Sequence, residues 1–199
     1  MKPPRAAAAE IARQETLAIP GLAARVAAAA ILRDVIANGH TLDELFAPGT
    51  GLSRVGGLDA RDLALTRSIV TAALRRLGTI RQALASLLER GLPRPAAQIE
   101  WLLTAAAAQI LFLDVPDHAA VDLAVRMTRL DSKTAPYAAL VNGVLRNLAR
   151  GREGFLNSGS ALDQDTPPWL AVRWRKTYGE EVAQAIAAAH RLEPTLDVT

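Results

Sequence analysis

An all-α fold is predicted for this 199-residue chain by three observations. Forty alanines stand against only 4% aromatic residues, a composition that suits closely packed helices better than a sheet. Apolar residues recur with a period near 3.6, and no run alternates with the period of a strand. Helix caps and helix stops punctuate these segments at plausible intervals. Half of the residues are hydrophobic, which is ample for one core and an appended subdomain.

Taken in order, residues 1–20, with Pro3-Pro4 and a mix of Ala, Arg and Glu, are expected to be a mobile N-terminal tail. The first helix is predicted over Leu22–Asn38 and is stopped by Asn38-Gly39. Thr41-Leu-Asp-Glu44 reads as a capping box that opens a short helix ending at Pro48. A loop over 49–57 leads to a helix from Asp59 to about Leu77. Its core face is Val70, Ala73, Leu74 and Leu77, and Arg61, Arg75 and Arg76 fall on the other side. Further helices are predicted over 79–90 and 96–113. Residues 151–167 have the composition of a linker, and a helical pair over 168–178 and 180–192 forms a small C-terminal extension running to 199.

The stretch from Ala107 to Arg150 is the most informative. Apolar residues run up to Val115, and Pro116 fits the first turn of a new helix, where a missing N–H costs nothing. That helix places Val121, Ala124 and Val125 on one face, and a third repeats the spacing with Val141, Val144, Leu145 and Leu148. Asn142-Gly143 would mark a hairpin between alternating flanks, but its flanks are helical. Gly143 is therefore expected to be a point of close helix packing.

The run QILFLDVPDHAAVDLAV followed by LVNGVLRN resembles the NusB-like RNA-binding domain. The closest resemblance is to the version at the N-terminus of the bacterial ribosomal RNA small-subunit methyltransferase B family, which methylates cytosine C5. RVAAAAIL (25–32), DLALTRSIVTAALRR (62–76) and PWLAVRWRKTYG (168–179) fit the same pattern in the same order, so the resemblance covers about residues 22 to 192. It implies a NusB-like helical bundle over 21–150 that binds RNA, 16S rRNA in the parent family, with the extension leading toward a catalytic domain. That domain would use a cysteine nucleophile and S-adenosylmethionine. The chain has no cysteine, so it is expected to be a non-catalytic fragment of the parent. The last motif, and the absence of the arginine run that free-standing NusB proteins carry near their N-terminus, favour the methyltransferase over a transcription antitermination factor. A structural brace that never touches RNA is the other alternative.

Charge distribution agrees with an anionic polymer as partner. The net charge is only +3, yet seven arginines face two acids between Arg61 and Arg94, and six basic residues face only Asp131 between Arg126 and Arg152. Between them, residues 95–125 hold four acids and no Lys or Arg. Twenty of the 23 basic residues are arginine, which suits planar phosphate contacts. The residues expected to contact RNA phosphates are Arg25, Arg33, Arg61, Arg67, Arg75, Arg76, Lys133 and Arg146. Arg25 matches the arginine at the head of the family's first helix. The cluster of Trp169, Arg173, Trp174, Arg175, Lys176 and Tyr178 offers either a base-stacking platform or an anchor. Trp169, Leu170 and Trp174 at helical spacing are read as the anchor, holding the small helix against a neighbouring domain.

Catalytic chemistry is not legible. Gly49-Thr-Gly51-Leu-Ser-Arg54 starts like a dinucleotide fingerprint, but Arg stands where the third Gly belongs and no strand precedes it. His40, His118 and His190 lack metal-ligand spacing, GxSxG is missing, and without cysteine there is no thiol nucleophile. Asp114 and Asp117 are read as helix-start charge. No catalytic, cofactor or metal residues are assigned. No apolar run approaches the ~20 residues that span a bilayer, so a cytoplasmic, membrane-free chain is expected.

Overall fold

A computed structural model describes residues 18–47, 49, 51–92 and 98–193. Among the described residues there are ten α-helices, one 3-10 turn and no strand. The helices are α1 (Leu22–Asn38), α2 (Leu42–Phe46), α3 (Ala60–Arg75), α4 (Leu77–Leu87), α5 (Ile99–Phe112), α6 (Asp117–Arg129), α7 (Ala138–Arg150), α8 (Arg152–Leu156), α9 (Ala161–Gln164) and α10 (Pro168–His190). Residues 1–17 of the stretch read as a mobile tail, the Pro48 stop and the first residues of the helix predicted over 96–113 lie outside the described residues, whereas residues 18–20 of that stretch form a turn with Ile19 packed against the core, a correction to the tail reading there.

The expected starts and stops follow local chemistry. Gly39 closes α1 with φ 73°, a left-handed conformation that costs a glycine little, and the His40 N–H reaches back to the Asp34 carbonyl. The capping box forms at α2: the Glu44 N–H donates to Thr41 Oγ1 at 3.3 Å and the Thr41 N–H to Glu44 Oε2 at 2.8 Å. Asp59 caps α3 by accepting from the Asp62 N–H at 2.7 Å.

Helix α5 is the axis of the bundle, packed by α1, α3, α4, α6 and α7. Every residue from Leu102 to Leu111 is buried, so this helix has no solvent face. Its four consecutive alanines, Ala105–Ala108, let neighbouring helices approach from all sides. Helix α7 buries Val141, Val144, Leu145 and Leu148, as the periodicity predicts. Helix α6 buries Ala120, Val121, Ala124 and Met127, with Pro116 at the N-cap position just outside it, while Val125 is only half buried.

Three further expectations are corrected. Gly143 is exposed, and a Cβ there would meet nothing within 4 Å, so it is not a point of close packing. The helix expected to run from Asp59 to Leu77 ends at Arg75, and α4 begins at once with Leu77. Leu74 and Leu77 are accordingly half buried, and the fully buried row of α3 is Thr66, Ile69, Val70 and Ala73. The stretch read as a linker by composition holds α8 and α9, the latter capped by Ser160.

The close approach is at Gly78 instead. A Cβ there would lie 1.6 Å from the Gln164 carbonyl oxygen, so the start of α4 is the floor on which α9 rests. The Thr79 N–H donates to Asp165 Oδ1 at 2.7 Å and its hydroxyl to Asp165 Oδ2 at 2.9 Å. Arg191 closes the junction with a bond to Asp165 Oδ2 at 2.7 Å, both side chains being largely buried. Helix α10 bends sharply at Gly179 (φ 78°), and its two halves enclose a second, small core of Ala161, Leu162, Ala171, Ala183 and Ala187 with Trp174 against it.

Candidate nucleic-acid interface

Burial of Thr66, Ile69, Val70 and Ala73 fixes the orientation of α3. At 100° per residue, Arg61, Ala64, Arg67, Ser68, Thr71 and Arg75 then form the opposite face, and all but the half-exposed Arg75 are exposed. No acid lies among them. The Arg67 guanidinium sits 4.5 Å from the centre of the Phe46 ring, which holds it in place without neutralising it.

Shallow grooves flank this face on both sides of Thr71. One, of about 380 Å³, is lined by Leu42, Asp43, Phe46, Ala47, Arg67 and Thr71. The other, of about 490 Å³, is lined chiefly by Thr71, Arg75, Arg76, Phe112, Arg191 and Leu192, with one acid, Glu193, at its wall. In the second groove, Arg75 donates to the Leu192 carbonyl and Arg76 to the Arg191 carbonyl at 3.4 Å. The Arg76 guanidinium lies 4.8 Å from the Phe112 ring centre. Burial, and then the neighbouring Arg191 charge, lower the Arg76 pKa from its usual value.

The other basic residues singled out in the sequence lie elsewhere. Arg25 is 6% exposed, and its guanidinium turns back to donate to the Gly21 carbonyl at 2.8 Å, inside the bundle rather than on its surface. Burial lowers its pKa, with Asp62 opposing. Arg33 and Arg54 both bind the buried Asp34, at 2.9 and 2.6 Å. Burial pushes the Asp34 carboxyl up, but the hydrogen bonds from Arg54 and Arg33 outweigh it and hold it below the usual carboxylate range. This cluster pins the 49–57 loop to α1. Lys133 is exposed in the turn after α6, where its N–H donates to Asp131 Oδ1 at 2.8 Å.

Arg146 lines a groove of about 490 Å³ between α6 and α7 with Asp117, Asp122, Asn142 and Arg150. Its α6 edge carries the acids and its α7 edge the arginines, so the groove as a whole is of mixed charge. The two basic segments of the sequence therefore line separate grooves, and of the two it is α3 that presents its arginines without acids on the same helix face.

The aromatic cluster divides as well. Trp174 packs into the small core, edge-on to His190 at 5.3 Å, and Leu170 is half buried, so both hold the two halves of α10 and α9 together. Trp169 stays 66% exposed. Sequence reasoning missed Thr79, Gln164, Asp165 and Arg191. Thr79 lies 85 or more residues from the other three, and nothing in the local spacing marks a contact.

Among the described residues no group of His, Cys, Asp and Glu is placed to hold a metal, and no helix is long and apolar enough to cross a membrane. A model of the NusB family matches residues 22–150. The chain is also similar to proteins named ribosomal RNA small subunit methyltransferase B. The one from Xanthomonas campestris pv. campestris is 37% identical over 178 residues, covering 89% of this chain and 38% of that protein. The one from Xylella fastidiosa (strain Temecula1) is 38% identical over 168 residues, covering 83% of this chain and 36% of the relative. The one from Vibrio cholerae is 28% identical over 173 residues. The chain thus spans well under half the length of the curated relatives it matches.

Proposed function

The chain belongs to the NusB family, and we propose that it is the RNA-docking part of a ribosomal RNA small-subunit methyltransferase of the B type. The observation that carries this reading is the acid-free face of α3, with Arg61, Arg67 and Arg75 along one side of a rigid helix. Arginine forks at that spacing supply backbone contacts that fix the position of an RNA without reading its bases. Folded rRNA is engaged chiefly through such phosphate and shape contacts. The target in this reading is 16S rRNA in the cytoplasm, held by the bundle of residues 21–150 for a catalytic part of the same parent protein.

Transfer of a methyl group to cytosine C5 and the binding of S-adenosylmethionine belong, in this reading, to that catalytic partner. The described residues do not fit the cofactor: they include no strand-to-helix turn, and the glycine-containing loop before α3 runs between two helices. Arg25, being buried, has a structural role and is left out of the proposed surface. Arg33, Lys133 and Arg146 contribute at most from outside the α3 face.

The test is filter binding of a structured 16S rRNA fragment at several salt concentrations, comparing the chain with its Arg61→Ala/Arg67→Ala variant. Each neutralised phosphate adds roughly 0.7 to 0.9 to the log-log salt slope. The double variant should bind all RNA sequences more weakly, with the slope reduced by about one to two. An Arg126→Ala control, which removes an exposed i,i+4 pair with Asp122, should leave binding unchanged. Absence of RNA binding by the unmodified chain at low salt, or an unchanged slope in the double variant, would sink the reading.

A further inference from the structure

Six large apolar side chains are exposed among the described residues, and four of them, Trp169, Val172, Tyr178 and Val182, lie on α10. Helical spacing puts Trp169, Val172, Arg173 and Lys176 on one stripe at i, i+3, i+4 and i+7. The stripe lies opposite Ala171 and Trp174, which face the small core. The Trp169 indole is 66% and Val172 65% exposed. No Asp or Glu occurs between Pro168 and Tyr178.

Charge decides what such a stripe fits. Lysine is depleted from the apolar centre of protein interfaces. An open aromatic face with cations one turn away is what single-stranded nucleic acid uses, bases stacking on the ring while phosphates meet the cations. On the other side of the same helix, Leu170 and Trp174 line a small cleft with Arg75, so α10 packs beside the end of α3 while the stripe faces away from it.

We propose that Trp169 stacks an unpaired RNA base while Arg173 and Lys176 hold the flanking phosphates, a second RNA contact on α10 besides the α3 docking face. This rests on the RNA-docking reading above and adds to it a preference for unpaired nucleotides.

Two probes of equal phosphate count test it: an unstructured single-stranded RNA oligonucleotide and a fully paired RNA duplex, each titrated into the 199-residue chain. Trp169→Ala should lower single-strand affinity on the order of tenfold and leave duplex affinity unchanged, since paired bases are not free to stack. Trp169→Phe, which keeps an aromatic face and guards against a folding artefact, should retain most of the affinity. The tryptophan fluorescence quenching seen on single-strand binding should be lost in it. Arg173→Ala/Lys176→Ala should reduce the single-strand salt slope by about 1.4.

Equal single-strand binding by Trp169→Ala and the unmodified chain, while Arg61→Ala/Arg67→Ala still weakens it, overturns this proposal and leaves the docking reading intact. Equal weakening on single strand and duplex overturns stacking. Self-association in sedimentation that Trp169→Ala abolishes, with RNA binding unchanged, would make the stripe a contact between copies and also overturn the proposal. Failure of the unmodified chain to bind either RNA overturns both readings.

Discussion

Single residues show how the same side-chain type serves two ends. Arg54 and Arg33 spend their charge on Asp34, whose side chain is 1% exposed, whereas Arg61 and Arg67 keep theirs in solvent. Removing the Asp34 charge would therefore leave two guanidinium groups without their carboxylate. Asp34→Asn keeps the shape but removes the charge that Arg54 and Arg33 bind, and should destabilise the fold by roughly 1–3 kcal/mol, measured by chemical denaturation. A change below about 0.5 kcal/mol would show that water replaces the carboxylate at no cost. Arg75 and Arg76 stand between these extremes, because each also holds a carbonyl of the C-terminal segment. A variant lacking both would report the loosening of that segment together with any loss of RNA contact, so it is a poor test of the docking face. From the sequence, Arg25 and Arg61 are both arginines near a helix start. Only tertiary packing makes one a buried strut and the other a surface charge.

At the scale of elements, the helices themselves were legible, because caps and periodicity are local. Leu22–Asn38 and the Thr41 capping box fall where the sequence places them. The positions where elements meet were not. Gly143 looked like a contact and is open, whereas Gly78, read only as the break between two helices, is the contact. Both lie in helices, where glycine normally costs about 0.5–1 kcal/mol relative to alanine. Gly143→Ala should thus stabilise the protein by about that amount. Gly78→Ala should reverse the sign and destabilise it by roughly 1–3 kcal/mol, since its Cβ collides with the Gln164 backbone. It should also make residues 151–193 more susceptible to limited proteolysis. Thermal melts and proteolysis of the two variants side by side check the pair, and stabilisation of both would mean that α9 does not rest on Gly78.

At the scale of the whole molecule, four carboxylates among the described residues have pKa values below their ordinary range. They are Asp34, held by Arg54 and Arg33 against burial; Glu44, by Thr41; Asp163, by Ser160 and Arg175; and Glu180, by Arg175 and Gln184. A folded pKa below the unfolded one means stability that is present above roughly pH 4 and lost as pH falls through the folded value. Glu44, Asp163 and Glu180 are exposed and well screened, so Asp34 should dominate. Melting temperature should drop steeply below about pH 4, and Asp34→Asn should blunt that drop; a melt that is flat down to pH 2.5 would contradict the assignment. The bundle and the extension face this stress unequally. The extension encloses mainly four alanine methyls, Leu162 and part of Trp174, far less apolar surface than a self-standing unit buries. Its order is therefore borrowed from the bundle through Thr79, Asp165 and Arg191. During synthesis the bundle leaves the ribosome first and provides the template on which residues 151–193 settle afterwards. In hydrogen exchange those residues should open as a separate, earlier unit, and the RNA surface built on α10 should come and go with them while the α3 arginines stay in place.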